Sequence, residues 1–277
     1  MPRLEGKVAF ITGAARGQGR SHAQRLAADG ADIVAVDICA DTETVPYPMG
    51  TADELAETKA LVEQAGRRCV TATADVRSLE QLGAAVDAAK EAFGKIDILV
   101  SNAGIWSQST ESWTLDEETW QTMIDVNLTG QWKTAKAVVP TMIEGGNGGA
   151  ITITSSSIGL KATTGNVHYT TAKHGVIGLV RTLAHELAPH DIRVNAICPT
   201  TVNSPMITND ALYTLFRPDL DSPGLPDVEP GLRDLNLLDV SMMEPAEVSA
   251  AISWLVSDDA RYVTGIALPI DAGSTAK

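Results

Sequence analysis

The sequence predicts an α/β protein built on a doubly wound parallel sheet of about seven strands. Three observations carry that prediction. Short apolar runs recur along the chain, longer amphipathic stretches separate them, and a glycine-rich turn follows the first run. Strands buried on both faces read as continuous apolar runs, and they occur where crossover helices cover a parallel sheet. Right-handed crossovers then wind the chain to both sides of the sheet.

The elements follow in order. Lys7 to Thr12 (KVAFIT) reads as a buried strand and Gln18 to Asp29 as a helix. Asp32 to Asp37 is a second strand, Asp53 to Ala65 a second helix, and Cys69 to Ala74 a third strand. Leu79 to Phe93 is helical, Ile96 to Ser101 is a strand, and one long helix is expected over Glu117 to Met142. The turn Gly145 to Gly149 feeds a strand over Ala150 to Ser155. A helix over His168 to Ala188 stops at Pro189, and the strand Ile192 to Ile197 follows. Pro245 to Val256 closes the helices and Gly265 to Ile270 the strands. No internal repeat or linker divides the chain, so residues 1–277 are expected to form one domain.

Two segments break the rhythm. Residues 39–52 (CADTETVPYPMGTA) place a polar, Pro- and Gly-containing insertion after the second strand, and they read as a solvated surface loop. Residues 200–243 carry Pro205, Pro218, Pro223, Pro226 and Pro230. Long loops in a compact domain are commonly functional. Because this one follows a strand whose carboxyl end borders the crevice, it reads as a substrate lid.

Composition excludes several classes. Apolar residues make up 44% and charged residues 20% of 277, too rich a core for a disordered chain. With 21 basic against 35 acidic residues the net charge is −14, and no basic cluster exceeds Arg67-Arg68. Nucleic acid and anionic membranes are therefore excluded as partners. Cys39, Cys69 and Cys198 form no CxxC pair, and the start of the chain has no signal-peptide apolar region. The expectation is a reducing, cytoplasmic setting.

The glycine-rich turn is Thr12-Gly13-Ala14-Ala15-Arg16-Gly17-Gln18-Gly19. Between strand and helix, Gly13, Gly17 and Gly19 permit a tight turn and close approach of the backbone to a pyrophosphate at the helix N-terminus. Arg16 and Gln18 belong to the same loop. Asp37, ending the second strand, completes a dinucleotide fingerprint of the Rossmann type. Its carboxylate suits ribose hydroxyls and repels a 2′-phosphate, which favours NAD over NADP. Arg16 pulls toward the phosphate, but Ile38 adds no second positive charge. Asp75-Val76 and Asn102-Ala103-Gly104, at the next two carboxyl ends, are expected at the adenine edge and the adenosine side.

Tyr169 and Lys173 stand four apart on one helical face. A free phenol titrates near pH 10, and a neighbouring ammonium is expected to lower that value. Ser156 precedes Tyr169 by 13 residues, at the end of a strand.

Together these motifs resemble the short-chain dehydrogenase/reductase family over nearly the whole chain. The likeness rests on TGAARGQG, Asp37, Asp75-Val76, Asn102-Ala103-Gly104, Asn127, Ser156, and Tyr169 with Lys173. It implies Tyr169 as general acid/base, Ser156 holding the substrate oxygen, and Lys173 binding the nicotinamide ribose and tuning Tyr169. Asn127 would support a water-linked proton relay through Lys173. Family members commonly carry Pro-Gly after the sixth strand, whereas this chain has Pro199-Thr200-Thr201-Val202. The amide of Val202 remains available to a carboxamide. With the insertion and Val45-Pro46-Tyr47-Pro48, the chain is similar to the carveol dehydrogenase-like subgroup associated with mycofactocin. That likeness implies tightly held NAD reoxidised by an external redox carrier, and a homotetramer.

The expected activity is hydride transfer between NAD and a small hydrophobic, carveol-like secondary alcohol or its ketone. A 3-ketoacyl-thioester reductase is the alternative, and a non-catalytic NAD-binding scaffold a more distant one. Trp106, residues 163–167 and the lid are the expected specificity elements. Three other features have plainer readings. His185 and His190 are five apart with Pro189 between them, which does not make a zinc helix. His168 is expected at the pocket edge or surface. Trp113, Trp120, Trp132 and Trp254 are expected in the core or at interfaces.

Overall fold

The structure is a computed structural model that describes residues 3–108 and 111–277. Seven parallel strands lie in the order β3-β2-β1-β4-β5-β6-β7. They are β1 (Val8–Thr12), β2 (Asp32–Asp37), β3 (Cys69–Thr73), β4 (Ile98–Ser101), β5 (Gly149–Thr154), β6 (Ile192–Pro199) and β7 (Ala267–Ile270). The expected sheet is the observed one. Winding reverses between β1 and β4, which pair through Ala9–Ile98, Phe10–Leu99 and Ile11–Val100. A crevice opens at the carboxyl ends where strand order reverses in this way.

Alternation along β1 shows why its residues are all apolar. Ala9 and Ile11 face one layer with Leu26, Val248 and Ile252, from α1 (Gly17–Ala28) and α9 (Pro245–Val256). Val8 and Phe10 face the other layer. There they meet Val86 of α3 (Leu79–Phe93), Val138 of α5 (Gly130–Gly145) and Val176 of α6 (Val167–Leu187). A polar residue at any of these positions would lose its water on one face or the other.

Local chemistry sets the helix starts. The side chains of Thr51 and Ser78 accept N–H bonds ahead of α2 (Ala52–Gln64) and α3. Asp116 and Asn209 do the same ahead of α4 (Glu117–Ile124) and α7 (Asp210–Phe216). Such caps satisfy donors that the first helical turn leaves unpaired.

Two expectations are corrected. The single helix expected over Glu117 to Met142 is α4, a π-turn over Asp125–Thr129, and then α5, which runs on to Gly145 and carries Pro140 inside it. Amphipathic periodicity continues across the π-turn, so the sequence does not reveal it. The lid contains α7 and α8 (Leu225–Arg233), hidden by its prolines; Pro226 lies within the first two helical positions, where a missing N–H costs nothing. Trp113 and Trp132 are 85% and 44% exposed, which leaves the interface half of their expected reading.

Candidate active site

A cleft of ≈ 590 Å³ lies along the carboxyl ends of the strands and takes in almost every residue singled out above. Gly13, Arg16, Gly17, Gln18, Gly19, Asp37, Asp75, Val76, Asn102, Ala103 and Gly104 line one part. Ser156, Tyr169, Lys173, Pro199 and Val202 line the other. Asn127 stands just behind the wall.

The glycine loop is shaped for close approach. Gly13 has φ +68, in the region open chiefly to glycine. A Cβ on Gly19 would lie 1.9 Å from the Gly13 carbonyl oxygen, so no other residue closes this turn. Asp37 is held ready beside it: its carboxylate accepts the Ala15 N–H at 2.9 Å and the Cys39 N–H at 3.1 Å. This cradle of glycine backbone, helix N-terminus and fixed carboxylate fits the pyrophosphate and ribose of a dinucleotide. Asp75 is engaged differently from the expectation, because both its oxygens receive Arg77 N–H bonds at 2.8–3.0 Å. Burial works to raise its pKa, but the Arg77 hydrogen bonds and charge outweigh burial, and the net direction is down.

A chain of hydrogen bonds joins the strand ends to α6. The N–H groups of Asn102 and Ala103 donate to Thr12 Oγ1, and Thr154 Oγ1 donates to Asn102 Oδ1 at 3.3 Å. Lys173 Nζ donates to the Thr154 carbonyl at 2.9 Å, while Ser155 Oγ donates to the Lys173 carbonyl at 2.8 Å. Lys173 is 3% exposed, and burial lowers its ammonium to about 8. Tyr169 lies one helical turn away, with Lys173 Nζ 5.5 Å from its ring centre.

The expected acidification of this phenol is not what the geometry delivers. Burial pushes Tyr169 up to about 12, against the opposing pull of the Ser156 hydroxyl. Lys173 points its ammonium at a carbonyl, not at the phenol oxygen, so desolvation wins. Asn127 sits in the π-turn, as such irregularities often do near functional sites. Its amide nitrogen donates to the Ile105 carbonyl and its oxygen accepts the Ile105 N–H, both at 2.8 Å. The side chain is thus committed to holding the irregular segment that follows β4. A Cβ on Gly104 would be 3.1 Å from Asn127 Oδ1 and 3.5 Å from Lys173 Nζ, which shows how closely the three pack. After β6, Thr201 and Asn203 make the backbone bonds to Met243, so the Val202 N–H faces away from that bridge.

The insertion at 39–52 is the main residue set that the sequence reading misplaced. Instead of a solvated loop it is a strap across the cleft. Arg16 Nη2 donates to the Pro48 carbonyl, so this guanidinium is spent on the strap. Tyr47, 7% exposed, accepts the Trp106 N–H at 2.9 Å. Tyr47 and Trp106 cluster with Met206, Leu212 and Phe216 of the lid around Tyr169. The one signal available was an aromatic residue between two prolines in an otherwise polar run. Trp106 Nε1 also donates to Asn166 Oδ1 at 2.9 Å, which fixes its indole. His168 is fully buried and not at an edge: its Nε2 pairs with Ser107 Oγ at 3.1 Å, and burial lowers its pKa.

The family model for short chain dehydrogenases matches residues 7–212. The chain belongs to the short-chain dehydrogenase family. Among curated relatives of this short-chain dehydrogenase, the (-)-trans-carveol dehydrogenase of Rhodococcus erythropolis is 52% identical and covers 100% of both chains. A crystal structure of carveol dehydrogenase from Mycobacterium avium in complex with NAD superposes with a TM-score of 0.99, at 51% identity over 100% of both chains. A short chain dehydrogenase from Mycobacterium paratuberculosis bound to NAD gives 0.90, at 42% identity over 99% of this chain and 100% of that one.

Proposed function

We propose that this chain is an NAD-dependent alcohol dehydrogenase and carbonyl reductase acting on a compact, largely apolar secondary alcohol of the carveol type. One observation carries the reading. Tyr169, half-buried against an apolar cluster, and Ser156 line the same cleft as a dinucleotide cradle. Bound NAD supplies the hydride acceptor, and its reduced form the donor.

The protein's own residues orient the reactants and handle a proton. Gly13, Gly17, Gly19, Arg16, Gln18 and Asp37 form the cradle, with Asp75, Val76, Asn102, Ala103 and Gly104 along the adenosine side. Pro199 and Val202 border the nicotinamide end. Ser156 Oγ and Tyr169 Oη converge on the substrate oxygen, and Tyr169 exchanges the proton there. Lys173 orients the ribose, and Asn127 fixes the wall behind it. With burial holding Tyr169 protonated at neutral pH, the phenol stands as a donor toward a carbonyl oxygen. The lid and strap exclude water from that exchange.

The reading extends to one domain over residues 1–277, working in the cytoplasm as a homotetramer. Among the described residues no helix is long and apolar enough to cross a membrane. Exposed Trp132 on α5 supplies apolar surface suited to subunit contact. The strap supports slow exchange of NAD, which is compatible with reoxidation in place by an external carrier such as mycofactocin.

The test is turnover of a panel of cyclic secondary alcohols with NAD, by wild type and Tyr169→Phe. Loss of a positioned acid/base costs about 10²–10⁴-fold in kcat/KM, with NAD affinity unchanged. Near-normal turnover by the variant would refute the assignment.

A further inference from the structure

The strap places a second phenol in the cleft whose proton has nowhere to go. Tyr47 Oη accepts the Trp106 N–H, and among the described residues no side chain or carbonyl accepts from the Tyr47 hydroxyl in return. The ring is 7% exposed, and burial raises its pKa, so the group is a neutral donor at any working pH. A buried donor without an acceptor is costly and calls for a partner. Trp106, Met206, Leu212 and Phe216 cluster with it, and the nearby Arg16 guanidinium, itself a donor, offers no acceptor.

That partner is not the reacting oxygen. A carbonyl oxygen has two lone pairs, and in the proposed reaction Ser156 and Tyr169 use both. Tyr47 and Tyr169 pack into one apolar cluster and line the same cleft, so the two phenols border one space.

The geometry points to Tyr47 as a substrate-binding residue that donates its hydroxyl to a second oxygen of the substrate. The substrate class is then narrower than carveol, which has one oxygen: a carveol-sized alicyclic alcohol or ketone with one further acceptor (a keto, hydroxyl or ether oxygen) away from the reacting carbon. An apolar wall accepts the ring, and this single donor fixes which way round it lies. Such polar recognition discriminates more sharply than apolar fit, because the analogue without the acceptor leaves the donor unpaired.

This inference rests on the proposed activity, and the experiment separates the two. Reduction of cyclohexanone is compared with that of its dione, hydroxyketone and ring-ether analogues, by wild type and Tyr47→Phe. Phenylalanine keeps the ring but removes both hydrogen bonds. Loss of the acceptor for Trp106 affects every substrate alike and cancels in the ratio. Loss of the donor lowers kcat/KM by about tenfold only for an analogue whose second oxygen meets Tyr47. The expected result is that selective loss for at least one analogue, with cyclohexanone changed by no more than the common factor. One common factor for all substrates would overturn the role of Tyr47. Should Tyr47→Phe fail to fold, the wild type still decides: a KM for every oxygenated analogue equal to that of cyclohexanone overturns it. A wild type that turns over none of them defeats the proposed activity instead.

Discussion

Replacing Lys173 by methionine should change how stability responds to pH, in a direction fixed by burial. The ammonium sits 3% exposed beneath Tyr169, with a carbonyl as its hydrogen-bond partner and no carboxylate ion-paired to it among the described residues. Burial lowers its pKa from 10.5 to about 8, a gap worth about 3 kcal/mol at ~1.4 kcal/mol per decade. Below about pH 8 the lysine is charged in both folded and unfolded chains, and the folded state bears the full cost of burying that charge. Between about 8 and 10.5 the folded protein sheds the proton while the unfolded chain still holds it, so wild-type stability climbs with pH. Methionine keeps the stem and removes the titration. The unpaired Thr154 carbonyl it leaves is independent of pH and cancels.

Urea denaturation of nucleotide-free wild type and Lys173→Met, followed by tryptophan fluorescence, measures the difference. From about pH 7 to about pH 10.5, wild type should gain up to about 3 kcal/mol relative to the variant. A constant difference, or a loss of wild-type stability with rising pH, would show that the ammonium is not paying a burial cost. Packing alone would favour methionine here, and a charge kept at such a cost fits the ribose-orienting role proposed for Lys173.

Two other expectations concern the cofactor. Asp37→Ser removes the carboxylate that the proposed reading places against the ribose hydroxyls, a hydrogen bond to a charged group being worth about 1.5–3 kcal/mol. NAD affinity by titration calorimetry should fall about 10- to 100-fold, with the discrimination against NADP shrinking alongside. Protein purified without added nucleotide should carry NAD through dialysis, detected by mass spectrometry, whereas Arg16→Ala, which frees the strap from its anchor at Pro48, should lose it sooner. An empty wild type would count against tight retention.

The glycine loop, Asp37, Ser156, Tyr169 and Lys173 were legible in the sequence because their spacing is local: a strand end, a turn, one face of a helix. Their convergence follows from the parallel sheet, which delivers successive carboxyl ends to one edge. The strap was not legible. Residues 39–52 are polar along the chain, and only contact with Trp106, 59 positions later, shows that Tyr47 is buried. The ionisation of Tyr169 was likewise out of reach. Four-residue spacing fixes the face on which Lys173 lies, but its rotamer and the Thr154 carbonyl decide where the charge points.

The sequence by itself determined the layered sheet, the order of its strands along the chain and the chemistry available at their ends, because alternation and spacing are properties of neighbouring residues. Only the tertiary structure decided which of those groups are dry, which already have partners, and which donor stands unanswered in the cleft. Desolvation and hydrogen-bond satisfaction depend on residues far apart in the chain, and no local pattern encodes them.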